Sequence, residues 1–231
     1  MKTIILLIET AAQVCSVALA SDGVVIGHKF TNDQKKSQEV INDLIAQIFE
    51  ELSFSINQLS AVAISGGPGS YTGLRVGASC AKGICYALDI PLIHIDSMSS
   101  MIEGIKKRYN QLDYDIFFPM IDARRMEVFC RAEDKAGNCI LETNHQFLDQ
   151  QFLESIIENR NALFFGNGAS KVKSILPNYK TLIEDFMPSA EDIAQISYQK
   201  FSSASFESIA YYEPRYLKEV FISAKKEVKT T

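Results

Sequence analysis

One plan of residues occurs twice along this chain, and that repeat narrows the folds open to it more than any other feature. In the first half, "TIILLIETAAQVCSVALA" runs from an apolar strand through Glu9 and a short turn into an alternating strand. In the second half, "FFPMIDARRMEVFCRA" takes the same steps, with Asp122 where Glu9 stood. "AVAISGGPGS" and "ALFFGNGAS" then repeat a strand that opens into a glycine-rich loop. Two such units predict a duplicated α/β fold with a cleft between its halves. The halves are expected at 1–105 and 106–231, with the C-terminal tail free to pack back on the first.

The local signals fill in this frame. "SDG" at 21–23 is a hairpin turn between "VCSVALA" and "VVIGHKF". Ser37–Leu52 has helical spacing, with Val40, Ile41, Leu44, Ile45, Ile48, Phe49 and Leu52 on one wide stripe. Ala61–Ser65 reads as a strand, Gly66–Ser70 as a loop and Thr72–Leu88 as a helix. "IPLIHI" is a further strand, and Asp96 or Ser97 can cap a helix running to about Tyr109. Gln151–Glu158 plays the first helix's role in shorter form. Ser189, with Asp192 three residues on, marks another helix start.

Composition excludes several classes. The net charge of −5 over 231 residues argues against a protein that grips nucleic acid unaided, since phosphate contacts need clustered Lys and Arg. Glu9 interrupts the opening apolar run before a signal-peptide core is complete, and no run reaches the ~20 apolar residues that cross a bilayer. The five cysteines, at 15, 80, 85, 130 and 139, form no C-x-x-C and read as reduced, buried thiols of a cytoplasmic protein.

Three features are candidates for chemistry. "SGGPGSYTGLRVG" could aim backbone N–H groups at a phosphate over a helix start, but it fits neither G-x-x-x-x-G-K-[ST] nor G-x-G-x-x-G; a tight turn reads it equally well. Behind it, Gly73, Gly77, Ala81 and Cys85 recur every four residues as a ridge of small side chains. Each internal glycine costs ~1 kcal/mol against alanine, so the ridge asks for close packing, either on the chain's own sheet or on a partner's helix. Finally, Glu9-Thr10 and Asp122-Ala123 end their strands with an acid. His28, His94 and His145 lie in unrelated contexts, with no H-x-x-x-H, H-E-x-x-H or G-x-S-x-G.

These residues, with "KKSQEVINDLIAQI", "YTGLRVGASCAKGICYALDIPLIHIDSM", "MIDARRMEVF" and "EPRYLK", resemble the bacterial TsaB family, also called YeaZ, over nearly the whole chain. The resemblance implies an actin/hexokinase-like (ASKHA) fold of two subdomains, each a mixed sheet with helices. It also implies a non-catalytic scaffold that supports a TsaD-like subunit, with a TsaE-like ATPase, in forming threonylcarbamoyladenosine in tRNA. TsaD-like proteins carry a metal-binding H-x-x-x-H where this chain has Ser97 and Met101, so no metal or cofactor is expected of the isolated chain. ATP or ADP at the complex interface stays open, as does a homodimer of the free chain; tRNA is reached through the complex, and no membrane is involved. The family's first two helices make the dimer contact, which assigns Leu44, Ile48, Gly73, Leu74, Gly77 and Ala81 to the partner interface in the first subdomain. A weak nucleotide or anion contact would fall on Glu9, Thr10, Gly67 and Gly69. Lys36 stands where the family commonly has His before "SQ". The competing reading is a small-molecule phosphotransferase or ATPase of the actin/hexokinase-like class; a metallopeptidase is opposed by the absent histidine pair.

Overall fold

The computed structural model describes residues 2–12, 14–31, 40–109, 113–179 and 181–218. Lys36 and the expected helix start at Ser37 lie outside them. The first half contains β1 (Ile4–Glu9), β2 (Ser16–Ser21), β3 (Val24–Phe30), α1 (Ile41–Glu51), β4 (Ala61–Ser65), α2 (Tyr71–Leu88), β5 (Leu92–Ile95) and α3 (Ser97–Arg108). The second contains β6 (Ile116–Asp122), β7 (Glu127–Asp134), β8 (Cys139–Phe147), α4 (Gln150–Ile157), β9 (Ala162–Phe165), α5 (Val172–Ile175), β10 (Leu182–Ile183) and α6 (Ala194–Ser202).

The repeat in the sequence is a repeat in topology. One sheet has the order β3-β2-β1-β4-β5, and the other β8-β7-β6-β9-β10. In each, the first three strands in chain order form an antiparallel meander and the last two add in parallel. This is the duplicated α/β fold that the repeat predicts. Asp22 and Gly23 turn the first hairpin with φ of 50° and 81°, the left-handed pair that a two-residue hairpin requires. The β8 strand has no counterpart in the sequence reading. It is an edge strand with only Thr143 fully buried, so it shows no alternation to detect.

Burial explains the strand patterns. β1 is apolar up to its terminal Glu9 because helices cover both faces of its sheet. Leu6, Ile8, Val17 and Leu19 pack with Leu44, Ile45 and Ile48 of α1 and with Ala78, Ala81 and Cys85 of α2. Ile5, Leu7, Ala18 and Ala63, on the opposite face, pack with Ala190, Ile193 and Ala194. The halves exchange elements. α3, within which the expected 105/106 division falls, buries Met98, Met101, Ile102 and Ile105 against Phe117 and Phe165 of the second sheet. In return, the second half sends α6 and the turn before it to the first sheet. That turn starts with the expected capping box at Ser189 and Asp192. α3 is capped by Asp96, which accepts from the Met98 and Ser99 amides at 3.0 Å.

All five cysteines are free; Cys15, Cys85 and Cys130 are buried, Cys80 is half-buried and Cys139 is exposed, so burial holds for three of the five. Among the described residues, no helix is long and apolar enough to cross a membrane.

Candidate functional site

The glycine loop after β4 is a structural joint. Three of its amides are already committed: Gly66 N–H donates to the Ile95 carbonyl at 2.8 Å, Gly67 N–H to Ser97 Oγ at 3.1 Å and Ser70 N–H to the Ala11 carbonyl at 2.7 Å. The Ser97 hydroxyl also meets that of Ser65 at 2.9 Å. Gly67 has a φ of 110°, which other residues rarely adopt. The Arg215 amide donates to the Gly66 carbonyl at 2.8 Å, so "EPRYLK" straps the loop from outside. Tyr212 is buried beside it, its hydroxyl 2.9 Å from His94 Nδ1. The strap's role was not legible in the sequence, because its partners lie far away along the chain. Ser97 and Met101, where the sequence resemblance placed the positions of a histidine pair, are both buried; one ties this loop and the other fills the core beneath the second sheet.

The ridge is also accounted for inside the chain. A Cβ added to Gly73 would lie 2.0 Å from the Thr10 carbonyl oxygen, and one added to Gly77 would lie 2.3 Å from Thr10 Oγ1. Leu44, Ile48, Leu74 and Ala81 are buried too. In the single chain, therefore, the six residues assigned to a partner interface are covered by its own core, and the apolar stripes of α1 and α2 lie on their own sheet. The residues that the two helices present outward include Asn42, Ala46 and Gln47 on α1, beside the acidic Asp43 and Glu50, and Ser79, Gly83 and Tyr86 on α2. Half-buried Cys80 reaches Asn42 Oδ1 at 3.4 Å, so these outward surfaces adjoin. Gly83 has open space where a Cβ would stand.

Between the halves lies a cleft of about 1060 Å³. Its walls include the start of α2 at Ser70, Tyr71 and Thr72, the β6–β7 turn at Asp122–Arg125, and the strap residues Arg215–Lys218. Of the four residues assigned to a nucleotide or anion, only Gly69 lines it. Glu9 and Thr10 are buried behind the wall, and Gly67 faces the strap.

The two repeated acids have diverged. The Ala11 amide donates to Glu9 Oε1 at 2.6 Å, while Oε2 is buried without a partner. Burial pushes this carboxyl up to about 7, against the downward pull of Ser65 and the Ala11 amide. Asp122 is engaged by Lys171 Nζ at 2.5 Å. Partial burial works to raise its pKa, but Lys171 and the Arg124 amide hold it below the usual carboxylate range. A phosphotransferase needs ionised carboxylates facing the phosphates to hold Mg²⁺. Here one acid is buried with its pKa raised to about 7, and the other is tied to a lysine. No group of three His, Cys, Asp or Glu among the described residues could hold a metal ion.

Comparison with known proteins gives these features a family context. The family model described as TsaD, tRNA N6-adenosine threonylcarbamoyltransferase, matches residues 25–230. The chain is 26% identical over 221 residues to the tRNA threonylcarbamoyladenosine biosynthesis protein TsaB of Escherichia coli (strain K12), covering 93% of this chain and 94% of that one. It is 27% identical over 227 residues to the TsaB protein of Haemophilus influenzae, covering 93% of each. The solved structure of YeaZ from Pseudomonas aeruginosa superposes with a TM-score of 0.75 at 19% identity, over 93% of this chain and 100% of that one, and so shares the fold.

Proposed function

The chain belongs to the TsaB (YeaZ) branch of the TsaD family, and from that premise we propose that it is a non-catalytic subunit that docks on a TsaD-like threonylcarbamoyltransferase. It takes part in tRNA threonylcarbamoyladenosine biosynthesis, with a TsaE-like ATPase completing the assembly in the cytoplasm. The observation that carries this reading is the fate of the catalytic positions. Glu9 is buried with its carboxyl pushed up to about 7, Asp122 is bound by Lys171, Ser97 ties the glycine loop and Met101 fills the core. These are adaptations of a support subunit, and they weigh against an independent phosphotransferase. ATP or ADP belongs to the assembled interface in this reading. A reconstitution of tRNA threonylcarbamoylation from purified components is expected to fall to background when this chain is left out. Undiminished product without it, or Mg-ATP turnover by the pure chain, would refute the proposal.

The docking face moves outward from the residues that the resemblance assigned. We place it on the adjoining outer surfaces of α1 and α2, around Asn42, Gln47, Ser79 and Gly83, which a homodimer of the free chain would also use. Gly83→Leu is expected to leave the circular dichroism spectrum unchanged and to abolish co-elution with the TsaD-like partner in sizing chromatography. Unaltered co-elution would put the interface on another face.

A further inference from the structure

We propose that the cleft between the halves holds a single-stranded stretch of RNA, with Tyr71 and Tyr216 stacking a base and Arg124 and Arg125 meeting the phosphates. The proposal rests on the tRNA role above and adds a direct contact to it. The charge balance is the first observation. The cleft wall carries Arg124, Arg125, Arg215 and Lys218 against Asp122 and Glu127 in a chain of net charge −5; Lys218 is paired with Glu127 and Arg215 with Asp96 at 3.7 Å, which leaves Arg124 and Arg125. Both carboxylates are already engaged, Asp122 by Lys171 and Glu127 by Lys218 and by His145 at 3.2 Å. Arg124 and Arg125 are exposed and form no ion pair among the described residues, Arg124 feeling only the field of Asp122. The fold gathers these cations from the β6–β7 turn and the strap, so no basic stripe marks them in the sequence.

The second observation is aromatic. The rings of Tyr71 and Tyr216 lie 5.0 Å apart on the cleft wall, and each is more than a third exposed. Arg75 stands over the Tyr71 ring at 4.7 Å, and its charge also acts on Tyr216, so one cation serves both rings of the platform. Rings beside a cationic track match single-stranded nucleic acid, because every base has a face to stack and every phosphate a charge to pair. A free nucleoside triphosphate fits less well. Its phosphates call for Mg²⁺ held by ionised carboxylates and for free loop amides, and here the acids and most of those amides are committed within the chain.

Fluorescence anisotropy of a labelled single-stranded oligoribonucleotide, titrated with the full chain at low salt, tests the proposal. Arg124→Glu combined with Arg125→Glu is expected to weaken binding about tenfold or more and to reduce the salt slope by roughly 1.4, the value for two lost phosphate contacts on a single strand. Tyr71→Ala should weaken binding while leaving that slope unchanged. Equimolar Mg-ATP should not displace the oligonucleotide. Absent binding by the parent chain, or unchanged affinity in both variants, overturns the proposal. So does full displacement by Mg-ATP, which would assign the cleft to a free nucleotide. Co-elution with the TsaD-like partner, measured on the same proteins, should be unaffected by the arginine changes. Its loss in that variant alone would give the arginines to the protein interface and overturn the RNA contact, whereas its absence in the parent chain would count against the docking proposal alone.

Discussion

Gly77→Leu is expected to cost the chain its cooperative fold, whereas the same change at Gly83, less than two turns along α2, is expected to be tolerated. Both replace a helix-interior glycine, so both gain up to ~1 kcal/mol of helix propensity. The difference lies in what each face meets. At Gly83 a side chain enters open space. At Gly77 even the first carbon would stand 2.3 Å from Thr10 Oγ1, and Thr10 is 4% exposed. One turn earlier, Gly73 brings α2 against the Thr10 backbone carbonyl itself, so the helix cannot slide to relieve the clash. Overpacking of this kind costs about 1–3 kcal/mol for a few added methylenes and more where backbone must move. Here the moving parts are the end of β1 and the main helix covering its sheet. Thermal unfolding followed by circular dichroism gives the comparison. Gly77→Leu should lose most of its transition or melt far below the parent, and Gly83→Leu should melt at or above it. Matching curves for the two variants would mean that α2 does not sit on Thr10.

That contrast also shows where the sequence was informative. Spacing placed Gly73, Gly77, Ala81 and Cys85 on one ridge, and the ridge exists. Spacing carries no information on whether a ridge meets its own sheet or another chain, because both demand small residues. The decisive contact, Thr10, lies at the end of a strand more than sixty positions away. The strand-acid-turn-strand repeat was legible because each step has its own local signature. β8 was not, since an edge strand with mixed burial leaves no period-two pattern. The cleft was expected from the duplication, but its cationic wall was not, because its charges come from two separated loops. Glu9 and Asp122 were recognised as counterparts by position. Their opposite fates depend on burial in one case and on Lys171 in the other, and neither is written in the adjoining residues.

Glu9→Gln is expected to stabilise the protein above neutral pH, by an amount that disappears in acid. The carboxyl is fully buried, and its pKa moves from an ordinary 4.5 to about 7 on folding. Between these values the unfolded chain releases a proton that the folded chain keeps. Stability therefore falls as pH rises through that window and stays at the lower level above it. The gap corresponds to roughly 3 kcal/mol. Glutamine keeps an oxygen for the Ala11 amide and carries no charge, so the variant escapes the loss. Asp192 is also raised by burial, against the pull of Arg108; its charge adds to the rise of Glu9, so the difference between the curves reports Glu9 together with that smaller coupling. Urea denaturation at a series of pH values should show the two proteins equal near pH 4 and the variant ahead by pH 8. Superimposable profiles would mean that the folded carboxyl ionises in the normal range, which requires water or a cation to reach Oε2. In that case Glu9 would again be available to hold a metal ion beside the cleft, and the phosphotransferase reading would regain its missing acid.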